Sequence, residues 1–168
     1  SYTIYTKASN LKSCVEVENA SKSSGANVQQ YESNGNACQH WILEETAAAG
    51  VKLDTSQVYQ FQNANSALYL EVKDASAEAG ANVQQWGANG NDCQNWTLKE
   101  FGDGYYYILS RLGDGKTYYL DVAEGKGDDG TNIQIFTNTK TSAQLFKFIP
   151  NPDGTYYIVT RASKDKGA

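Results

Sequence analysis

The sequence predicts an all-β fold built from three pseudo-symmetric repeats of about 50 residues. Three observations predict it. The stretch "GANVQQYESNGNACQHW" (Gly25–Trp41) returns as "GANVQQWGANGNDCQNW" (Gly80–Trp96) and again as "GTNIQIFTNTKTSAQLF" (Gly130–Phe146). Apolar residues fall in short alternating or clustered runs broken by Gly, Asn and Asp, which is the strand period and not the helical one. The composition has fifteen Gly, two Pro and twenty aromatic residues among 168, with no Met, as many short strands joined by turns require.

The repeats are in register beyond the quoted stretch. An acid lies nine positions before each Gly: Glu16 in "CVEV", Glu71 in "YLEV" and Asp121 in "YLDV". A Gln lies fourteen positions after it: Gln39, Gln94 and Gln144. The only length change falls outside these limits, between Trp41 and Glu71. A unit this small cannot close its own core, so three must share one.

Taken in order, the units fall at about 1–50, 51–104 and 105–154, together one domain of residues 1–154. The third displays its strands most clearly: "YYYILSR" (Tyr105–Arg111), "YYLDV" (Tyr118–Val122), "TNIQIF" (Thr131–Phe136) and "QLFKFI" (Gln144–Ile149). Four strands per unit give about twelve. The one helical candidate, "ETAAAGVKL", is a single turn that Gly50 stops. Val15, Val17, Val28 and Trp41, with Leu70, Val72, Val83 and Trp96, are expected in the core. Gly25, Gly80 and Gly130 are expected in a turn that needs positive φ or close backbone approach, and Asn27, Asn82 and Asn132 as turn caps.

Net charge is −5, and no Lys/Arg cluster supplies the positive groove that nucleic acid requires. No apolar run approaches the ~18 residues of a membrane span. Neither nucleic acid nor membrane is an expected partner. The chain opens on Ser1 without a signal-peptide core, as a processed chain or one module of a larger secreted protein would. Cys14, Cys38 and Cys93 permit at most one intrachain disulfide. Cys14–Cys38, both in the first repeat, is the candidate, and three buried free thiols are the alternative.

Catalysis finds little support. The one histidine, His40, reads as a surface residue beside Trp41, and no Ser/His/Asp or Cys/His set forms around it. One His and three scattered Cys give no metal-ligand spacing. Glycoside hydrolysis needs two carboxylates ~5–10 Å apart in one cleft, whereas the repeated acids occur once per unit. No cofactor, no metal and no enzymatic activity are expected.

Repeated acid, Gly-x-Asn-[Val/Ile]-Gln-x-aromatic and Gln-x-[Trp/Phe], three times over from Tyr2 to about Pro150, resemble the ricin-type β-trefoil lectins. They are most similar to the bacterial carbohydrate-binding modules of family 13 attached to secreted glycoside hydrolases. The resemblance implies a six-stranded barrel capped by three hairpins, with one sugar pocket per repeat. Such a pocket pairs an aromatic platform for the apolar sugar face with polar groups for its hydroxyls. Carried over, Glu16, Glu71 and Asp121 would grip vicinal hydroxyls, and Tyr31, Trp86 and Phe136 would be platforms. Asn34 and Asn89, with Thr139 in their place in the third repeat, would add a polar contact. Gln39, Gln94 and Gln144 would hold the acids in position.

The sequence departs from the family at two points. The residue before the Gln, commonly a sugar-bonding Asn, is Cys38, Cys93 and Ala143. Two acids are Glu, whose extra methylene is expected to move the carboxylate outward. The Trp86 pocket ranks first for its platform, the Tyr31 pocket second and the Phe136 pocket last. The implied function is a non-catalytic, multivalent, extracellular module for galactose- or xylose-containing polysaccharide (galactan, arabinogalactan or xylan). The alternative is a protein-binding β-trefoil scaffold with vestigial sugar sites.

Residues 155–168 pose a separate question, because "YTIYTKASNLKSC" (Tyr2–Cys14) and "YYIVTRASKDKGA" (Tyr156–Ala168) align throughout. A closed three-repeat barrel has room for one of them. A monomer drawn from a longer tandem array is expected, with strand exchange between copies as the alternative.

Overall fold

The computed structural model describes residues 2–3, 5–6, 13–45, 53–151, 154 and 156–162. Its strands are β1 (Tyr2–Thr3), β2 (Tyr5–Thr6), β3 (Ser13–Val17), β4 (Val28–Glu32), β5 (His40–Glu45), β6 (Val58–Asn63) and β7 (Tyr69–Val72). They continue as β8 (Val83–Trp86), β9 (Trp96–Gly102), β10 (Tyr105–Ser110), β11 (Tyr118–Val122), β12 (Ile133–Thr137), β13 (Phe146–Pro150) and β14 (Tyr156–Thr160). Helical structure among the described residues is limited to single 3-10 turns. The helical turn expected near residue 45 lies almost wholly outside them.

Six strands close on themselves. β5 pairs with β6, β6 with β9, β9 with β10, β10 with β13, β13 with β14 and β14 with β5, all antiparallel. Closure removes the sheet edges that would otherwise stay unpaired. Three hairpins, β3–β4, β7–β8 and β11–β12, cap the barrel. This is a β-trefoil.

Alternation along each barrel strand sends one face inward. In β6, Tyr59, Phe61 and Asn63 are buried, and the Phe61 ring stands edge-on to Trp96 at 6.4 Å. Trp41, Trp96 and Phe146 are all fully buried. Each indole N–H is satisfied by a cap strand: Trp41 donates to the Val15 carbonyl at 3.0 Å and Trp96 to that of Leu70 at 3.2 Å. The expected core residues are all buried.

The hairpins meet around the pseudo-threefold axis through backbone hydrogen bonds. Gly25 N–H donates to the Gln85 carbonyl (3.0 Å), Gly80 to Ile135 (2.8 Å) and Gly130 to Gln30 (2.5 Å). Bonds run back from Gln85 to Ala26, Ile135 to Ala81 and Gln30 to Thr131. These glycines hold φ of 83°, 88° and 81°, a region costly to residues with a Cβ. The repeated Gly is thus the joint between repeats. The repeated Asn closes its own cap loop, because the carbonyls of Asn27, Asn82 and Asn132 accept from Glu18, Lys73 and Ala123.

β14 fills the third barrel position in the same register as β6 and β10. Tyr156 lies opposite Trp41 as Tyr59 lies opposite Trp96 and Tyr106 opposite Phe146. Past each strand end, Ala64, Arg111 and Arg161 donate to His40, Asn95 and Leu145. The N-terminal copy addresses the same place, with Tyr2 opposite Trp41 and Tyr5 opposite Cys14. β6 already pairs with β5, so one edge of β5 remains for two strands. His40 is half-buried at the start of β5 instead of on the open surface, because Thr3 pairs with it.

Two outcomes follow for solution experiments. Trp96→Ala is expected to cost about 3–5 kcal/mol of folding free energy. Trp96→Phe, which copies the third repeat, should cost about 1–2 kcal/mol for the lost indole bond and volume. Equal costs in denaturant unfolding would refute this account of the barrel floor. We also expect monomers by size exclusion with light scattering both for the chain and for a version without residues 155–168, since either strand copy can close the barrel. A dimer that disappears on that truncation would show the surplus strand pairing with a second molecule.

Candidate functional site

Each cap hairpin carries the same constellation. The acid lies on the first cap strand, the aromatic on the second, and the Gln on a 3-10 turn that leads back into the barrel. Tyr31 and Trp86 are 44% and 42% exposed, although large aromatics elsewhere are mostly interior. Phe136 is half-buried. The acids are the reverse: Glu16, Glu71 and Asp121 are buried at 5%, 5% and 4% exposure.

Amide groups make that burial tolerable, since a buried carboxylate needs donors to replace water. Glu16 accepts from Gln29 (3.0 Å) and Gln39 (2.9 Å). Glu71 accepts from Gln84 (3.0 Å), Gln94 (2.9 Å) and the Asn89 side chain (2.8 Å). Asp121 accepts from Gln134 at 2.9 Å. Burial pushes its carboxyl above the usual aspartate value, while Gln134 and Gln144 pull the other way.

The repeated Gln also ties its own turn together. Gln39, Gln94 and Gln144 each donate to a backbone carbonyl seven residues earlier, at 2.8 Å. Each accepts from the backbone N–H of residue 34, 89 or 139, at 3.0–3.2 Å. Gln39 and Gln94 thus grip acid and turn at once. The Asn34 side chain instead accepts from its own turn at Asn36, and the Thr139 hydroxyl meets Thr141.

The longer Glu side chains do not move their carboxylates outward as expected. The extra methylene carries them inward to the Gln39 and Gln94 amides, and they end as buried as Asp121. Residues unforeseen in the sequence complete the site. Gln29, Gln84 and Gln134, four positions after the repeated Gly, bond the acids from the facing strand, and their threefold recurrence was the available signal. Three positions after the acid stand Asn19, Asp74 and Glu124, all with left-handed φ of 54–57°.

The cysteines replace the family's Asn without replacing its chemistry. All three are buried free thiols, so the candidate Cys14–Cys38 disulfide does not form and the alternative holds. Cys38 and Cys93 turn toward the acids, at 3.9 Å from Glu16 and 3.7 Å from Glu71, and Cys14 toward the Tyr31 carbonyl at 3.6 Å. Burial, with the nearby Glu16 charge, pushes the Cys38 thiol up to about 11. Burial also raises Cys93 and Cys14. The thiol is a weak donor to a carboxylate here, not a nucleophile.

Open pockets lie against two of the acids. One of about 210 Å³ is walled by Glu71, Asp74, Trp86, Asn89 and Cys93. One of about 410 Å³ is walled by Asp121, Glu124, Phe136, Thr139 and Ala143. Asp for Glu, Ala for Cys and Gly125 for Ala75 all remove atoms from the second of these walls. Among the described residues no group of three or more His, Cys, Asp or Glu is placed to hold a metal.

Fold and pockets together define a lectin-type β-trefoil. The chain belongs to the ricin-type beta-trefoil lectin domain-like family, whose model matches residues 1–57 and again 52–136. It is similar to the designed threefold-symmetric protein ThreeFoil, at 32% identity and TM-score 0.75 over 94% of this chain and 96% of that one. It is also similar to 1,3Gal43A, an exo-beta-1,3-galactanase from Clostridium thermocellum, at 31% identity and TM-score 0.73 over 87% of this chain. The clotting factor G alpha subunit of Tachypleus tridentatus is 36% identical over 69 residues, 40% of this chain. The matches span 29% of the galactanase and 10% of the clotting factor subunit.

The thiol geometry is directly measurable. In the folded protein at pH 8, none of the three cysteines should react with a thiol-specific disulfide reagent within minutes, and all three should react once the chain is unfolded. Prompt reaction of native Cys38 or Cys93 would contradict their burial beside a carboxylate.

Proposed function

We propose that this chain is a non-catalytic, multivalent carbohydrate-binding module for a galactose- or xylose-containing polysaccharide, carried by a larger secreted protein such as a glycoside hydrolase of the kind that bears family 13 modules. The observation that carries the reading is an exposed aromatic set beside a buried acid–amide network, in the same place on successive hairpins. Tyr31 and Trp86 offer flat apolar faces for the C–H side of a sugar ring. Asn34, Asn89 and Thr139, with the carboxylates on the pocket walls, offer polar groups for its hydroxyls. Gln39, Gln94 and Gln144 act behind them. Galactan is the favoured polymer, on the 31% likeness to a protein named as a galactanase.

Two properties order the pockets differently. The Trp86 pocket has the largest ring and the Phe136 pocket the larger cavity. A shallow site with one stacked ring and two or three hydrogen bonds gives about millimolar affinity, near −4 kcal/mol. Three on one rigid body engage a polymer together, and effective concentration multiplies their avidity.

Calorimetric titration with galactan, arabinogalactan and xylan tests the reading. Binding of one polymer is expected, weakened about tenfold in Trp86→Ala, a loss near 1.4 kcal/mol, with unfolding unchanged. Silence across all three polymers from a folded protein would overturn it in favour of a protein-binding scaffold.

A further inference from the structure

In the Trp86 pocket the repeated acid is largely occupied. Four donors converge on the Glu71 carboxylate: the amides of Gln84, Asn89 and Gln94 at 2.8–3.0 Å and the Cys93 thiol at 3.7 Å. An ionised carboxylate offers about four lone-pair sites, and Glu71 is 5% exposed. Asn89, Gln94 and Cys93 all crowd Oε2. A sugar could reach that oxygen only by displacing Asn89 or Gln94, each of which also supports the turn. Oε1, bonded to Gln84, keeps one open site on a nearly buried side chain. The same pocket wall holds a second carboxylate, that of Asp74. It is exposed, accepts no hydrogen bond and pairs with no cation among the described residues. It stands on a turn where Asp74 and Ala75 hold φ of 55° and 51°, two consecutive residues in a region that only glycine adopts without cost.

We propose that Asp74, not Glu71, is the sugar-gripping carboxylate of this pocket, and that Glu71 is a positioning residue which fixes Asn89 and Gln94. The inference rests on the carbohydrate-binding reading above. Both Asp74 oxygens are open to a vicinal pair of hydroxyls from a ring stacked on Trp86, the arrangement that makes a carboxylate selective for hydroxyl stereochemistry. The other pockets do not share the device. Asn19 takes the corresponding place in the first repeat. In the third, Glu124 is tied to Lys126 at 2.5 Å, and Asp121, with fewer donors and a wider cavity, keeps the role itself.

Trp86 gives this pocket a private signal, because Trp41 and Trp96 are fully buried. Its emission is followed while galactan, arabinogalactan or xylan is added to the whole chain. Asp74→Asn is expected to weaken the response at least tenfold without lowering the melting temperature, since Asn suits a left-handed turn and no hydrogen bond is removed. Asp74→Glu should recover part of it. Glu71→Gln should lower the melting temperature, because it turns an amide toward three amide donors, and weaken the folded protein's response less than Asp74→Asn does, since it loosens Asn89 without removing the gripping carboxylate. A response retained by Asp74→Asn overturns the assignment, whether or not Glu71→Gln folds. No response from the unaltered chain to any of the three polymers overturns the binding reading, and this assignment with it.

Discussion

The six backbone hydrogen bonds around the pseudo-threefold axis hold the rest of the molecule in place. Each runs between repeats, from Gly25 to Gln85, Gly80 to Ile135, Gly130 to Gln30 and back. Neutral backbone bonds are worth about 1 kcal/mol each, so their importance is geometric more than energetic. They set the three cap hairpins at one angle to the barrel, and every pocket is built on a cap hairpin. Repeat and neighbour even share a wall. A Cβ placed on Gly25 would lie 3.6 Å from the Trp86 ring, so the first repeat backs the platform of the second.

Beneath that ring a second layer decides how a carboxylate survives burial. The protein uses amides for it, with no cation paired to these acids among the described residues. Gln29 or Gln84 approaches from the facing cap strand and Gln39 or Gln94 from the 3-10 turn, and together they replace the water that burial removed. An Arg or Lys partner would neutralise the charge. Amides leave it, and a pocket that keeps a negative potential at its base favours hydroxyl donors over acceptors. Free thiols at 38 and 93 fit that environment, since burial and then the adjacent acids oppose thiolate formation.

Much of this was legible in the sequence because it repeats. Three copies in register imply a shared core and one position for each strand, and the Gly, Asn and Trp roles follow from steric and hydrogen-bonding preference at those positions. What could not be read was which polar group meets which. The resemblance pointed to Gln94 as a support for Glu71, but Gln84, ten residues before it, is indistinguishable from a solvent-facing amide until β8 pairs with β7 and brings it to the same carboxylate. The direction of the Glu side chains was misjudged for the same reason. Chain length alone says that a methylene extends the reach, and only the placement of Gln39 and Gln94 says that the reach is inward. Asp74 and Glu124 recur three residues after the acid, but the left-handed turn that sets them on the pocket rim is a property of the backbone.

Folding and recognition therefore rest on different residues of one repeat. Glycine, Asn and the buried aromatic of Gln-x-aromatic satisfy the axis and barrel, and they are nearly the same in all three copies. The residues on the pocket walls differ: Glu or Asp, Cys or Ala, Asn or Thr, Tyr or Trp or Phe. A wall residue can change without breaking the ring of backbone bonds or the barrel floor, as Ala143 beside an intact Gln144 turn illustrates. Three pockets held at fixed geometry need not be three copies of one pocket. A polymer whose successive sugars differ would gain from that inequality, because each wall can suit a different ring while the rigid scaffold still delivers them together.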